Sequence, residues 1–310
     1  MNTIGSSDVA AIIGLSAWSS PMQVWARLTG LVPRYDKTET AVTRRGVRME
    51  AALRNWRAED IGKPIYPGPV FGVDPVWTAA APYDWAHARP DGWYDTTLVE
   101  CKTVRRFDDA EWGVDGSADI PAYYLAQIIW QMGVARLGGR EVTGCDLVAF
   151  SPMSEETRTF YVAHDERRFR ALLATIEAWR LKHVIGGEPP PVDGHEMTTD
   201  ILTRIYPGGI ERKEIEPTDA DLVDARRLRV VKGQIATLEE EASLLGNRLR
   251  ERIGQSGATS IKGVARWIPT KGRVSLDIKA LEAAEPDTFR RYAKVGATFR
   301  TFTLTLSDSE

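Results

Sequence analysis

Cysteine and histidine are scarce in this 310-residue sequence: Cys101 and Cys145 are the only thiols, and His87, His164, His183 and His195 the only imidazoles. Two cysteines exclude a disulfide framework or a cysteine zinc site, and the four histidines show no paired ligand spacing. Any metal must then sit on carboxylate oxygens, which favour Mg²⁺ or Mn²⁺ over zinc. Long apolar runs are missing as well, since every stretch is broken well short of the roughly 20 residues a bilayer span needs. Met1 to Ser7 carry no basic leader segment, so a soluble, cytoplasmic protein with no membrane partner is expected.

Net positive charge is also absent. Forty Lys and Arg face 43 Asp and Glu, for a net charge of −3. That argues against a nonspecific DNA coat, which needs a basic surface to displace counterions, but not against an enzyme that meets DNA through a local groove. Residues 1–194 hold 25 acidic and 21 basic groups, and residues 195–310 hold 18 and 19, so the slight acidic excess lies in the first part. What is present, 43% hydrophobic and 27% charged residues, is ordinary globular composition, and the length can bury a full core.

Gly186-Gly187 followed by Pro189-Pro190-Pro191 cannot continue a helix, which puts a domain boundary near residue 194. Before it, Ser20-Pro21 opens a helix to Leu28 with Gly30 as its stop, and a longer helix runs from about Thr38 to Asp60. Residues 64–104 read as a strand meander. Pro121 starts a helix to about Leu137, strands follow at 146–150 and 158–162, and a helix covers 165–184. This order predicts an α/β domain over residues 1–194 around one central mixed sheet flanked by helices. Residues 195–310 form an α+β accessory region. Its long helix, 219–253, carries a heptad seam through Leu228, Val231, Ile235, Leu238, Ala242, Leu245 and Leu249. The seam is open to three uses, an oligomer contact, a partner site or a packing face. Packing on small β segments near 259–267 and 298–306 is the simplest of them.

The most informative stretch is Arg89-Pro90-Asp91-Gly92, followed nine residues after the aspartate by Glu100-Cys101-Lys102. On a strand, residues i and i+2 share a face, so Glu100 and Lys102 point together and Cys101 points to the opposite layer. Gly92 and the polar residues 95–97 let the chain reverse and bring Asp91 beside Glu100. Two carboxylates and an ammonium at a sheet edge suit phosphodiester hydrolysis. Carboxylates can hold a divalent metal that activates water, while the lysine positions or helps deprotonate the water and counters developing charge. A lone Glu-x-Lys is more often a surface ion pair, so the argument needs company. Gly46 and Glu50, a turn apart on the upstream helix, offer close approach and a third carboxylate. Tyr124 and Gln127 share a face of the helix begun at Pro121, and Ser7-Asp8 precedes an apolar helical stretch.

Taken in order, Ile4-Gly5-Ser6-Ser7-Asp8 with Ile12-Ile13-Gly14, Gly46-x-x-x-Glu50, Arg89-Pro90-Asp91-Gly92, Glu100-Cys101-Lys102 and Pro121-x-x-Tyr124-x-x-Gln127 resemble the YqaJ-type viral recombinase family. That family is related to λ exonuclease within the PD-(D/E)XK nuclease superfamily. The resemblance covers roughly residues 4–190 and implies a restriction-endonuclease-like core. It also implies Mg²⁺-dependent cleavage of linear duplex DNA, with Mn²⁺ able to substitute, beside a single-strand annealing protein, and relatives that include homo-oligomeric rings.

Carried over by the resemblance, Asp91 and Glu100 become metal ligands with the Cys101 backbone carbonyl as a third oxygen. Glu50 holds metal directly or through water, Lys102 is the catalytic lysine, Gln127 orients the water or the lysine, and Tyr124 lines the site. Ser7 matches a serine that binds a terminal 5′ phosphate. The arginine that precedes this serine in exonuclease relatives has no counterpart before Arg27, and the serine usual before Pro-Asp-Gly is Arg89 here. Arg89 and Arg45 are the candidates to supply the missing charge. The expected activity is a phage-type DNA exonuclease; the rivals are a structure-specific or restriction-like endonuclease and a noncatalytic DNA-end binding adaptor.

Overall fold

The computed structural model describes residues 3–33, 41–69, 76–107, 111–208, 214–294 and 300–305; of residues 41–43 it describes the backbone alone. They divide into two compact units, 1–206 and 207–310. The boundary expected at 194 thus falls at Tyr206. The proline run ends the preceding helix but not the packing: helix α6 (Glu196–Ile205) buries Ile201 among Met22, Trp25, Ala26 and Val32.

Three short helices begin as their sequences dictate. α1 (Ser6–Ile12) is closed by Asp8, whose carboxylate accepts from the Gly5 amide. α2 (Pro21–Leu28) has Ser20 as its cap, accepting from Gln23 N at 3.2 Å, with proline at the first turn. α5 (Glu166–Trp179) is capped by Asp165 and runs into a π-helical stretch, Arg180–Ile185. α3 (Ala41–Ile61) matches the expected long helix, whose predicted start at 38–40 lies outside the described residues.

The first unit is built on a mixed five-stranded sheet in the order β1 (Tyr66–Pro67), β4 (Gly92–Tyr94), β5 (Thr97–Thr103), β6 (Gly144–Ser151), β7 (Glu156–Ala163). A small hairpin, β2 (Trp77–Thr78) with β3 (His87–Ala88), stands apart from it. Within this sheet β5 and β6 run parallel; α4 (Ala122–Leu137) makes the crossover between them that parallel neighbours require. One face of the sheet sends Leu98, Cys145, Leu147 and Phe160 against Ile128 and Met132 of α4. The other sends Val99, Cys101 and Val148 against Leu53 of α3. A sheet covered on both faces by helices is the α/β architecture read from the sequence.

Behind α4, Trp130 and Phe169 are enclosed with Val9, Trp85 and Ile176. The helices can approach because residue 133 is glycine: a Cβ there would stand 2.0 Å from the Phe169 ring. Of the helical tryptophans, Trp25 and Trp130 are buried, whereas Trp18 and Trp56 are exposed.

The second unit contains α7 (Asp219–Gln255), the hairpin β8 (Ser260–Ile261) with β9 (Ala265–Arg266), and two short helices, α8 (Ile278–Ala284) and α9 (Pro286–Tyr292). The packing use of the heptad seam is not realised: Ile235, Leu238, Leu245 and Leu249 are exposed, and Ile253 alone on α7 is buried. The physical reason is a shortage of cover. Residues 300–305 form no strand, and the hairpin has two residues per strand; the rest of the segment expected at 298–306 lies outside the described residues. No described helix is long and apolar enough to cross a membrane.

Candidate active site

The edge of β5 nearest its carboxy end gathers the predicted residues. Glu100 and Lys102 share the α4 face, and Lys102 Nζ donates to Glu100 Oε1 at 2.5 Å. Asp91, immediately before β4, reaches across so that its Oδ2 accepts the Cys101 amide at 2.7 Å. Of Gly92 and the polar residues 95–97 that the sequence offered for the reversal, it is Asp95 that turns the chain, with a positive φ of 43°. Gly92 serves close packing instead: a Cβ there would meet Arg54 Cδ at 2.8 Å, Ile65 at 2.9 Å and the Tyr66 carbonyl at 3.0 Å.

Glu100 is buried, 2% exposed, and both of its oxygens are occupied. Besides Lys102, Oε1 accepts Gln127 Nε2 at 2.5 Å, and Oε2 accepts Gln131 Nε2 at 2.9 Å. Gln127 therefore contacts Glu100, where it was expected to orient water or the lysine. Gln131 is a residue the sequence reading missed. It is wholly buried, and its amide also donates to the Arg89 carbonyl at 3.2 Å and reaches Ser6 Oγ at 3.4 Å. A carboxylate and a carbonyl can only accept, so these partners fix which way the amide faces. The signal was available: Gln131 lies four residues after Gln127, on the same helical face.

Tyr124 packs on Trp112 and Tyr123, and its ring lies 5.4 Å from Lys102 Nζ, so it lines the site from below the lysine. Glu50 and Arg54, a turn apart on α3, approach from the other side. Arg54 Nη1 donates to the Asp91 carbonyl at 3.2 Å, a contact with no motif to announce it.

The charges here act strongly on one another. Burial, then Glu100, raises the Asp91 carboxyl well above the usual carboxylate range, and Lys102 opposes this. Burial and Glu100 likewise raise Glu50, against Arg54 and Lys102. Burial works to lower the Lys102 pKa, but the carboxylates of Glu100 and Asp91 outweigh it and raise it.

Other predicted residues sit differently. Ser7 is exposed, and it is the neighbouring Ser6 that is buried against Gln131, because the amide needs a partner on the inward side of α1. Asp8 caps α1 and pairs with Arg27 at 2.6 Å. Arg89 is half-buried with its Nε enclosed, and it meets the site through its carbonyl. Arg45 is exposed on α3. Nothing among the described residues comes within 4 Å of a Cβ placed on Gly46, so no close approach is made there.

On the opposite face of the sheet, Asp146 is buried, accepting Arg57 Nε at 2.9 Å and the Tyr94 hydroxyl at 2.8 Å. That network ties α3 to β4 and β6.

Hard oxygen donors in negative excess fit a divalent cation in kind: Glu50, Asp91 and Glu100 stand against Lys102 and Arg54, Glu100 raises the pKa of Asp91 and of Glu50, and Glu50 raises that of Asp91. Among the described residues, however, no three His, Cys, Asp or Glu side chains are grouped closely enough to enclose an ion. The Cys101 thiol faces the apolar α3 layer, leaving only its backbone to the site.

The first unit is thus an α/β domain with paired acids and a lysine gathered at the carboxy end of its central strand. The amino-terminal part of the chain is similar to the YqaJ-like viral recombinase domain, whose family model matches residues 1–146. The uncharacterised protein YqaJ of Bacillus subtilis is 24% identical over 295 residues, covering 94% of this chain and 88% of that protein. An alkaline exonuclease from Laribacter hongkongensis is 18% identical, over 58% of this chain and 87% of its own, with a TM-score of 0.41. A phage-related exonuclease from Haemophilus somnus is 12% identical, over 60% and 96%, with a TM-score of 0.39.

Proposed function

We propose that the chain is a Mg²⁺-dependent deoxyribonuclease of the phage recombination type, an exonuclease that hydrolyses phosphodiester bonds from the ends of linear duplex DNA. The observation that carries this reading is the convergence of Asp91, Glu100 and Lys102, with Glu100 locked by two glutamines of one helix. The YqaJ-like domain supports the same reading. Asp91 and Glu100 would hold the metal, with Glu50 and the Cys101 carbonyl completing its oxygen donors. When bound, such an ion supplies Lewis acidity at the phosphate and acidifies water.

The chain's own groups do the rest. Lys102, an ammonium resting over Tyr124, stands beside the carboxylates to counter charge on the phosphate oxygens. Gln127 and Gln131 keep Glu100 from turning away. Arg45, which is exposed, would meet the DNA backbone.

The experiment is digestion of end-labelled linear duplex and closed circular DNA, with Mg²⁺ or EDTA. The folded parent should degrade the linear form in Mg²⁺ and leave the circle intact, and Glu100→Gln should degrade neither form. Cutting of the circle would make it an endonuclease, and a fully active Glu100→Gln would sink the site.

A further inference from the structure

The second unit holds the most one-sided charge in the chain. Between Glu251 and Asp277 lie 25 residues with five cations, Arg252, Lys262, Arg266, Lys271 and Arg273, and no acid, in a protein whose net charge is −3. The hairpin β8–β9 organises the middle of this stretch. Its register pairs Ser260 with Arg266 and Ile261 with Ala265. Cross-strand partners share a face, so Ser260 and Arg266 point one way and Ile261 and Ala265 the other. Burial follows this division: Ile261 and Ala265 are half-buried, whereas Ser260 and Arg266 are exposed. Lys262 is exposed in the turn, which closes through Gly263 at φ +73°. Lys271 and Arg273 continue the positive charge along an exposed segment without strand or helix. Among the described residues, no carboxylate pairs with Lys262, Arg266, Lys271 or Arg273.

The Trp267 amide extends the hairpin by donating to the Thr259 carbonyl at 2.8 Å, and one edge of its ring stands 3.5 Å from where a Gly254 Cβ would be, while the indole as a whole stays 52% exposed. Beside it the outward face of the hairpin carries the Ser260 hydroxyl and the Lys262 and Arg266 cations, groups that contact phosphates and carry no base information.

We propose that the β8–β9 hairpin is a sequence-independent contact for the phosphate backbone of DNA, with Lys262 and Arg266 as its principal cations and Ser260 as a hydrogen-bond donor. The contact requires no metal and none of the acids of the first unit, so it stands apart from the nuclease reading.

The test measures binding of the full chain to a labelled duplex in EDTA, where no metal-dependent cleavage competes, between about 50 and 200 mM salt. Each phosphate contact contributes about 0.9 to the slope of log affinity against log salt, so Lys262→Ala/Arg266→Ala should lower the slope by about 1.8. Charge reversal at both positions should lower affinity further, and the loss should be the same for duplexes of different sequence. Helical circular dichroism should not change. An unaltered slope in the double variant, or no binding by the parent at low salt, overturns the proposal. So does an equal weakening toward a poly-glutamate chain of matched length, which would assign the face to acidic polypeptides. A parent that binds DNA with the expected slope but never degrades it would overturn the nuclease reading and leave this contact standing.

Discussion

In the first unit Leu147, Ile128 and Trp130 are wholly enclosed, while on α7 of the second Leu238 is 63% exposed and Leu245 49%. Both sets are apolar residues at regular spacing, and the spacing alone does not distinguish them. The difference is the supply of opposing surface. β5 and β6 present apolar side chains on both faces to helices α3 and α4, whereas α7 has a short hairpin and two short helices within its own unit. Periodicity reports that a face exists; the chain must separately provide something to cover it.

Substitutions can break that contrast, and the largest effect belongs to the site rather than to packing. Lys102→Ala should reduce Mg²⁺-dependent cleavage about 10²- to 10⁴-fold in single-turnover assays, the usual range for a positioned proton-transfer or charge-countering group. Leu147→Ala, in the enclosed sheet layer, should cost about 2–5 kcal/mol in urea unfolding. Gln131→Leu removes the donor shared by Glu100, the Arg89 carbonyl and Ser6, leaving buried acceptors short of a partner; about 1–3 kcal/mol of stability should go. Cleavage should fall in the same variant more than stability explains, and a Gln131→Leu enzyme with parental turnover would reduce this residue to packing. Leu238→Ala on α7 should change stability by less than about 0.5 kcal/mol. A loss as large as that of Leu147→Ala would mean that the seam is covered in solution.

The sequence made the chemistry legible where it follows a short period. Glu100 and Lys102 are two apart on a strand, Tyr124 and Gln127 three apart on a helix, and the structure brings all four together with Asp91. Contacts made across elements were hidden. Arg54 reaches the Asp91 carbonyl over 37 positions and Gln131 reaches Ser6 over 125, and no local pattern marks either pair. Ser6 and Ser7 were indistinguishable for a related reason: adjacent helical residues face different ways, and only the packing of α1 says which faces in. The boundary at 194 failed because proline stops a helix without stopping burial, so Ile201 rejoins the core beyond it.

Gln127 and Gln131 grip the two oxygens of Glu100 from consecutive turns of α4, which bears on how this chain can change length. Each residue advances a helix by about 100°. One residue inserted between the two glutamines would swing one amide off the carboxylate while leaving every motif readable in the sequence. Descendants of such a chain would keep all the signature residues and lose their alignment. In comparing sequences of this kind, a fixed interval of four between these glutamines is thus a stricter criterion than the presence of either one.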